Sequence, residues 1–197
     1  MVLELSGETQ RLMYTNQTGK LPKKSSKGNH YIMVLIEIDS NAILVEAMKN
    51  RLAGEMIRAY LVLVSPKMHI LDNKCSEDFK AQIHKNSMTF QLAPPHDHGR
   101  NIAKKAIQTF KGHFISILCG TDKNVPLHSW CRLLPQAKHT LNILQSARAA
   151  PNVSAYAYLW GQHDFNANPF APLGCKVEAH IKPSVCETWA AHTASGY

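Results

Sequence analysis

The sequence predicts an α/β fold, a sheet flanked by helices. Three observations carry that reading. HYIMVLIEID (30–39) is β-branched and almost continuously apolar at its centre, the composition of a strand buried on both faces. A turn and a second such run, AILVEAM (42–48), follow it directly, which is hairpin order. Residues 101–118 repeat Ile102, Ala106, Phe110, Phe114 and Ile117 at helical spacing, a broad apolar face that needs a sheet or another helix to cover it.

The remaining elements fall around these. Arg11–Thr15 reads as a short first strand leading into a turn-rich loop, Asn16–Asn29, with Gly19, Pro22 and Lys27-Gly28-Asn29. Asp39-Ser40-Asn41 supplies the hairpin turn. Asn50–Tyr60 is helical in pattern, with Leu52, Met56 and Tyr60 on one stripe, and Pro66 ends anything continuing past Val64. KMHIL (67–71) is a strand ending at Asp72, and Ser76 caps a short helix whose first turn holds Glu77 and Asp78. MTFQL (88–92) alternates as a fifth strand. Pro94-Pro95 forces an extended loop before the helix Asn101–Leu118. A last long helix, Ser129–Gln145, contains Pro135, which either kinks it or delays its start, and Ala149–Pro151 breaks it. From Asn166 the character changes again, towards the strand-like APLGCKVEAHI (171–181).

Composition narrows the function classes. The 197 residues suffice for one sizeable core, and 45% hydrophobic against 18% charged residues exclude a disordered chain. Apolar runs such as Tyr31–Ile36 are too short to span a bilayer, so no membrane partner is expected, and the N-terminus lacks the pattern of a secretory signal. Five cysteines, with no CxxC pair, argue against a disulfide framework or structural zinc and fit a cytoplasmic or nuclear setting. A net charge of +8 suits a polyanionic partner, although many basic proteins have none.

Three strings are more specific: YTNQTGKLP (14–22), HILDNKCSEDFK (69–80) and HDHGRNIAKKAIQTFKGHF (96–114). Together with APLGCKV they resemble, in order and over about residues 11–181, the integrase core of Copia-type retrotransposon polyproteins. That family's motifs run Thr-Asp-Gln-Thr-Gly, Leu-Asp-Asn-Glu and Asn-x-Ala-Glu. The resemblance implies a ribonuclease H-like fold, with a mixed five-stranded sheet flanked by helices, and DNA integration by metal-dependent polynucleotidyl transfer. It divides the chain into an extension (1–10), an integrase-core-like domain (11–165) and a truncated SH3-like segment (166–197). Relative to the family, the stretch between Arg58 and His69 is shortened by one or two helical turns, and the chain reads as a core with truncated flanks.

The implied catalytic positions are Asn16, Asp72 and Lys104, where the family carries three acids. Two Mg²⁺ ions would need those acids, because Mg²⁺ is held by hard, anionic oxygens. Here the trio has no net charge instead of three negative charges. Only Asp72 remains as a metal ligand. Asn16 keeps a carbonyl oxygen, but Lys104 offers donors and a cation. A unit positive charge about 4 Å from a divalent ion costs on the order of 8 kcal/mol even at an effective dielectric near 20. The expectation is an inactive copy that at most binds nucleic acid. The alternative is an active Mg-dependent strand-transfer enzyme or nuclease that borrows another acid, Asp39 or Asp97.

On the 101–118 helix, Lys104, Gln108 and Lys111 share a polar face, with Lys105 beside it. Such a face is either a solvated surface or a phosphate-binding one. The resemblance favours the second, since this helix lines the DNA groove of integrases, and it assigns DNA contact to Arg100, Lys104, Lys105, Gln108 and Lys111. Lys23, Lys24 and Lys27 lie on a loop that reads as flexible, serving phosphate contact or solubility. Asp39 also reads as a plain turn former, and His96-Asp97-His98 as an exposed loop or a weak transition-metal pair. Trp130, Tyr156, Tyr158 and Trp160 either stack on bases or, as the apolar neighbours of Trp130 and Trp160 favour, belong to the core.

Overall fold

A computed structural model describes residues 12–63, 68–71, 77, 81, 85, 89–92, 99–182, 184 and 190–196. Five strands form one sheet: β1 (Leu12–Gln17), β2 (Tyr31–Glu37), β3 (Ile43–Met48), β4 (Met68–Leu71) and β5 (Thr89–Leu92), in the order β3-β2-β1-β4-β5. β1, β2 and β3 are antiparallel, whereas β4 pairs parallel to β1 and β5 parallel to β4. Among the described residues the helices with defined bounds are α1 (Ala53–Leu63), α2 (Gly99–Gly120), α3 (Trp130–Leu144) and α4 (Ala155–Trp160), with a 3₁₀ turn at Leu127–Ser129; Glu77, Ala81 and Lys85 are helical too, where the sequence predicts a short helix. A separate hairpin joins β6 (Val177–His180) and β7 (Thr193–Gly196). Among the described residues, no helix is long and apolar enough to cross a membrane.

β2 shows why its sequence is apolar almost throughout. Ile32, Val34 and Ile36 point into a core shared with Phe110 and Phe114 of α2 and Leu134 and Leu141 of α3. Met33 and Leu35 point the other way, towards Met13, Leu44, Met48 and Tyr60 of the α1 side. With both faces covered, alternation gives way to a continuous apolar run.

The helix after β3 starts later than its pattern suggests. Asn50 accepts the Leu52 amide proton on its side chain at 2.9 Å, which holds residues 50–52 in a turn. Leu52 is therefore 70% exposed and outside the stripe formed by Met56 and Tyr60. α3 begins at Trp130 and carries Pro135 within it, so the proline does not delay its start. α4 has no counterpart in the sequence reading. Ser154 caps it, its Oγ accepting from the Ala157 amide at 3.0 Å.

β3 lies at the edge of the sheet, and α3 closes that edge with a side chain. Asn142, fully buried, accepts the Ile43 N–H on Oδ1 at 2.8 Å and donates Nδ2 to the Ile43 carbonyl at 2.9 Å. The carboxamide thus substitutes for a neighbouring strand. At the β2–β3 turn the buried Glu37 carboxylate accepts the amides of Asp39 and Ser40 at 3.2 and 2.7 Å. After α4 the chain stays on the core: Leu173 packs against the α2–α3 cluster, and the Gly174 carbonyl accepts from Asp122 at 3.1 Å. Gly174 has φ +69°, and a Cβ there would lie 2.6 Å from Thr121 Cγ2, so only glycine fits this return.

Candidate active site and nucleic-acid face

Successive residues of β1 alternate between the two cores. Met13 belongs to the α1 side and Tyr14 to the α2–α3 side, so Asn16 lies on the α2 face of the sheet. It pairs with Val34 of β2 and is half-buried, and its Oδ1 accepts the Gln17 amide proton at 2.8 Å. Its carbonyl oxygen is engaged locally and carries no charge. In β4, Ile70 lies opposite Tyr14, and the strand ends at Leu71, the residue before Asp72 in the chain. Asp72 lies outside the described residues, as do His96, Asp97 and His98.

α2 packs across β1 and β2. Ala103, Ala106, Phe110 and Phe114 face the core, with Phe110 and Phe114 stacked at 5.5 Å. Lys104, Lys105, Gln108 and Lys111 are exposed, as their helical spacing requires, and none of the three lysines forms an ion pair among the described residues. Arg100 stands in the first turn of the helix. Among the described residues no group of three or more His, Cys, Asp or Glu is placed to hold a metal ion.

The register separates Asp39 from this region. Asn16 lies opposite Val34, and Asp39 follows β2 five residues further on, beyond Glu37 opposite Met13. At about 3.3 Å per residue that is on the order of 15 Å, at the other end of β1. Asp39 instead holds a turn, its carbonyl accepting from the Arg148 and Ala149 amides at 2.9 Å each. It is not a substitute ligand.

The lysine loop after β1 is tied down rather than loose. Ser25 is buried, exchanges backbone hydrogen bonds with Asn29 and Gly28, and accepts the Asn29 amide on Oγ at 2.9 Å. Trp130 Nε1 donates to the Lys23 carbonyl at 3.0 Å, and the Ser26 amide donates to the His128 carbonyl at 2.7 Å. Lys23, Lys24 and Lys27 are all exposed on this anchored loop, at the Asn16 end of β1. Trp130 is a core residue, as its apolar neighbours suggest. Trp160, by contrast, is 52% exposed, because α4 is only six residues long and turns that side chain outward.

Sequence reasoning missed a second cluster. His139 of α3 stacks on Tyr156 of α4 at 4.5 Å, and its Nε2 lies 3.2 Å from His163 Nδ1. His163 stacks on Phe170 at 5.0 Å, and its Nε2 lies 3.2 Å from the Asn168 carbonyl. These residues line a cavity of about 490 Å³ with Gln136 and Pro169. Burial, reinforced by the nearby His163 and Lys138, holds the His139 imidazole below its usual protonation range. Burial does the same to His113, which shares a 3.0 Å hydrogen bond with Thr140. The density of His and aromatic residues in 156–170 was the available signal, but its partner lies 24 residues upstream of His163.

The fold is that of retroviral integrase catalytic cores, an α/β fold of the ribonuclease H-like kind. The catalytic core domain of BIV integrase matches with a TM-score of 0.58 at 13% identity, over 76% of this chain and 93% of that one. The HTLV-2 integrase catalytic core domain in complex with magnesium, in its trimeric form, matches at 0.57 and 18% identity, over 75% and 94%. A chain of the simian T-cell lymphotropic virus intasome in complex with PP2A regulatory subunit B56 gamma matches at 0.60 and 13%, over 93% and 66%. At these identities the likeness concerns the fold. No protein-family model matches the sequence, and no match to a curated protein was found.

Proposed function

We propose that this chain is a degenerate integrase core of the Copia type, inactive in metal-dependent polynucleotidyl transfer and binding DNA through its basic α2 face. One observation carries the reading: on an integrase-core fold, the first and third acid positions of the family motif hold Asn16 on β1 and an exposed Lys104 on α2. The donor set does not fit Mg²⁺, because an amide oxygen and an ammonium cannot replace two carboxylates. Asp72 alone cannot bridge and complete two ions. The exposed lysines on α2, with those of the anchored 23–27 loop, support non-specific phosphate binding. The β6–β7 hairpin is read as the remnant of the family's SH3-like region.

Purified protein is expected to show neither strand transfer nor nicking with Mg²⁺ or Mn²⁺ on DNA. Metal-dependent turnover that Asp72→Ala abolishes would overturn this reading in favour of an active enzyme with substitute ligands. DNA binding is tested separately. Reversing charge at Lys104, Lys105 and Lys111 is expected to weaken binding uniformly across sequences and to lower the salt slope by about 1 for each phosphate left unneutralised. An unchanged affinity and slope would remove α2 as the interface.

A further inference from the structure

We propose that His139 and His163 form a two-imidazole site for a divalent transition-metal ion, with Zn²⁺ as the simplest probe, on the wall of the α3–α4 cavity. The inference does not rest on the integrase reading. The Asn168 carbonyl can only accept, so the 3.2 Å contact places a proton on His163 Nε2 and leaves the lone pair on Nδ1. A backbone carbonyl holding the far nitrogen of a histidine is the usual support of a metal-binding imidazole, fixing tautomer and ring orientation.

The lone pair of His163 faces His139 Nε2 at 3.2 Å. Two nitrogens at that separation, each about 2.05 Å from an ion, subtend about 100° at it, close to the tetrahedral angle. Without metal, His139 Nε2–H donates to His163 Nδ1. On binding, that proton relocates through solvent to His139 Nδ1, so both facing nitrogens become ligands and neither ring changes charge. The rings meet edge-on at 79°, and each is held by stacking, His139 on Tyr156 and His163 on Phe170. The remaining coordination positions would open to the 490 Å³ cavity, which is large enough to admit water as the further ligands. Imidazole ligands select borderline ions and not Mg²⁺.

Calorimetric titration of the full chain with Zn²⁺ at neutral pH is expected to show one site that excess Mg²⁺ does not displace. His139→Phe and His163→Phe keep the ring contacts and remove the nitrogens, and each is expected to weaken Zn²⁺ binding by about 10–100-fold or more. The double variant His96→Ala/His98→Ala is expected to leave it unchanged. In the unaltered protein, the ring NMR signals of His139 and His163 are expected to shift together on Zn²⁺ addition, a readout independent of how the variants fold. No uptake at millimolar Zn²⁺, binding that follows His96 and His98 instead, or ring signals that stay fixed would each overturn the site.

Discussion

Asn142→Leu is expected to destabilise the domain by about 2–6 kcal/mol, because it strands two buried backbone groups at once, each costing about 1–3 kcal/mol. The leucine matches the carboxamide in size, so the loss reports hydrogen bonding more than packing. Ile43 is the residue affected: its N–H and C=O turn away from β2 and find partners on Asn142. The edge of a sheet is where such groups otherwise meet water or another chain. Here α3 covers the edge, and Leu134, Ala137 and Leu141 of the same helix bury the strand's apolar face. Chemical denaturation monitored by circular dichroism measures the effect. A loss under about 0.5 kcal/mol would show that Ile43 finds other partners and that the edge is not held by this side chain.

The paired substitution Asn16→Asp with Lys104→Glu is expected to give Mg²⁺ binding that the unaltered chain, on the reading proposed above, lacks. It changes the trio from neutral to three negative charges, and it replaces a repulsion on the order of 8 kcal/mol, at about 4 Å and an effective dielectric near 20, by attraction. The single variants separate the two contributions. Lys104→Glu removes the larger obstacle, whereas Asn16→Asp leaves the ammonium in place and is expected to gain little. Calorimetry with Mg²⁺, alongside thermal melting to confirm the fold, decides the matter. No metal uptake by a folded double variant would mean that the positions do not converge, and that restoring charge alone does not rebuild a metal site.

Much of the scaffold was legible along the chain. β2, β3 and α2 lie within a few residues of their expected bounds because each repeats its apolar residues at its own period. The start of α1 was not, since a local Asn50 turn competed with helical periodicity. α4 was missed because six residues carry less than two turns of pattern. At the candidate site, the residue types at positions 16 and 104, an amide and an ammonium, could be read directly along the chain. The anchored lysine loop could not: Ser25 is held by Asn29, and Trp130 reaches Lys23 across 107 positions.

The sequence alone determined the chemical identities at positions 16, 72 and 104 and the periodicities that build sheet and helices, because charge and repeat are local properties of a chain. Only the tertiary structure decided that Asp39 stands at the far end of β1, that Asn142 closes the sheet edge, and that His139 meets His163. Each of these depends on strand register or helix packing between segments distant in sequence, and no local pattern encodes which distant partner a side chain will face.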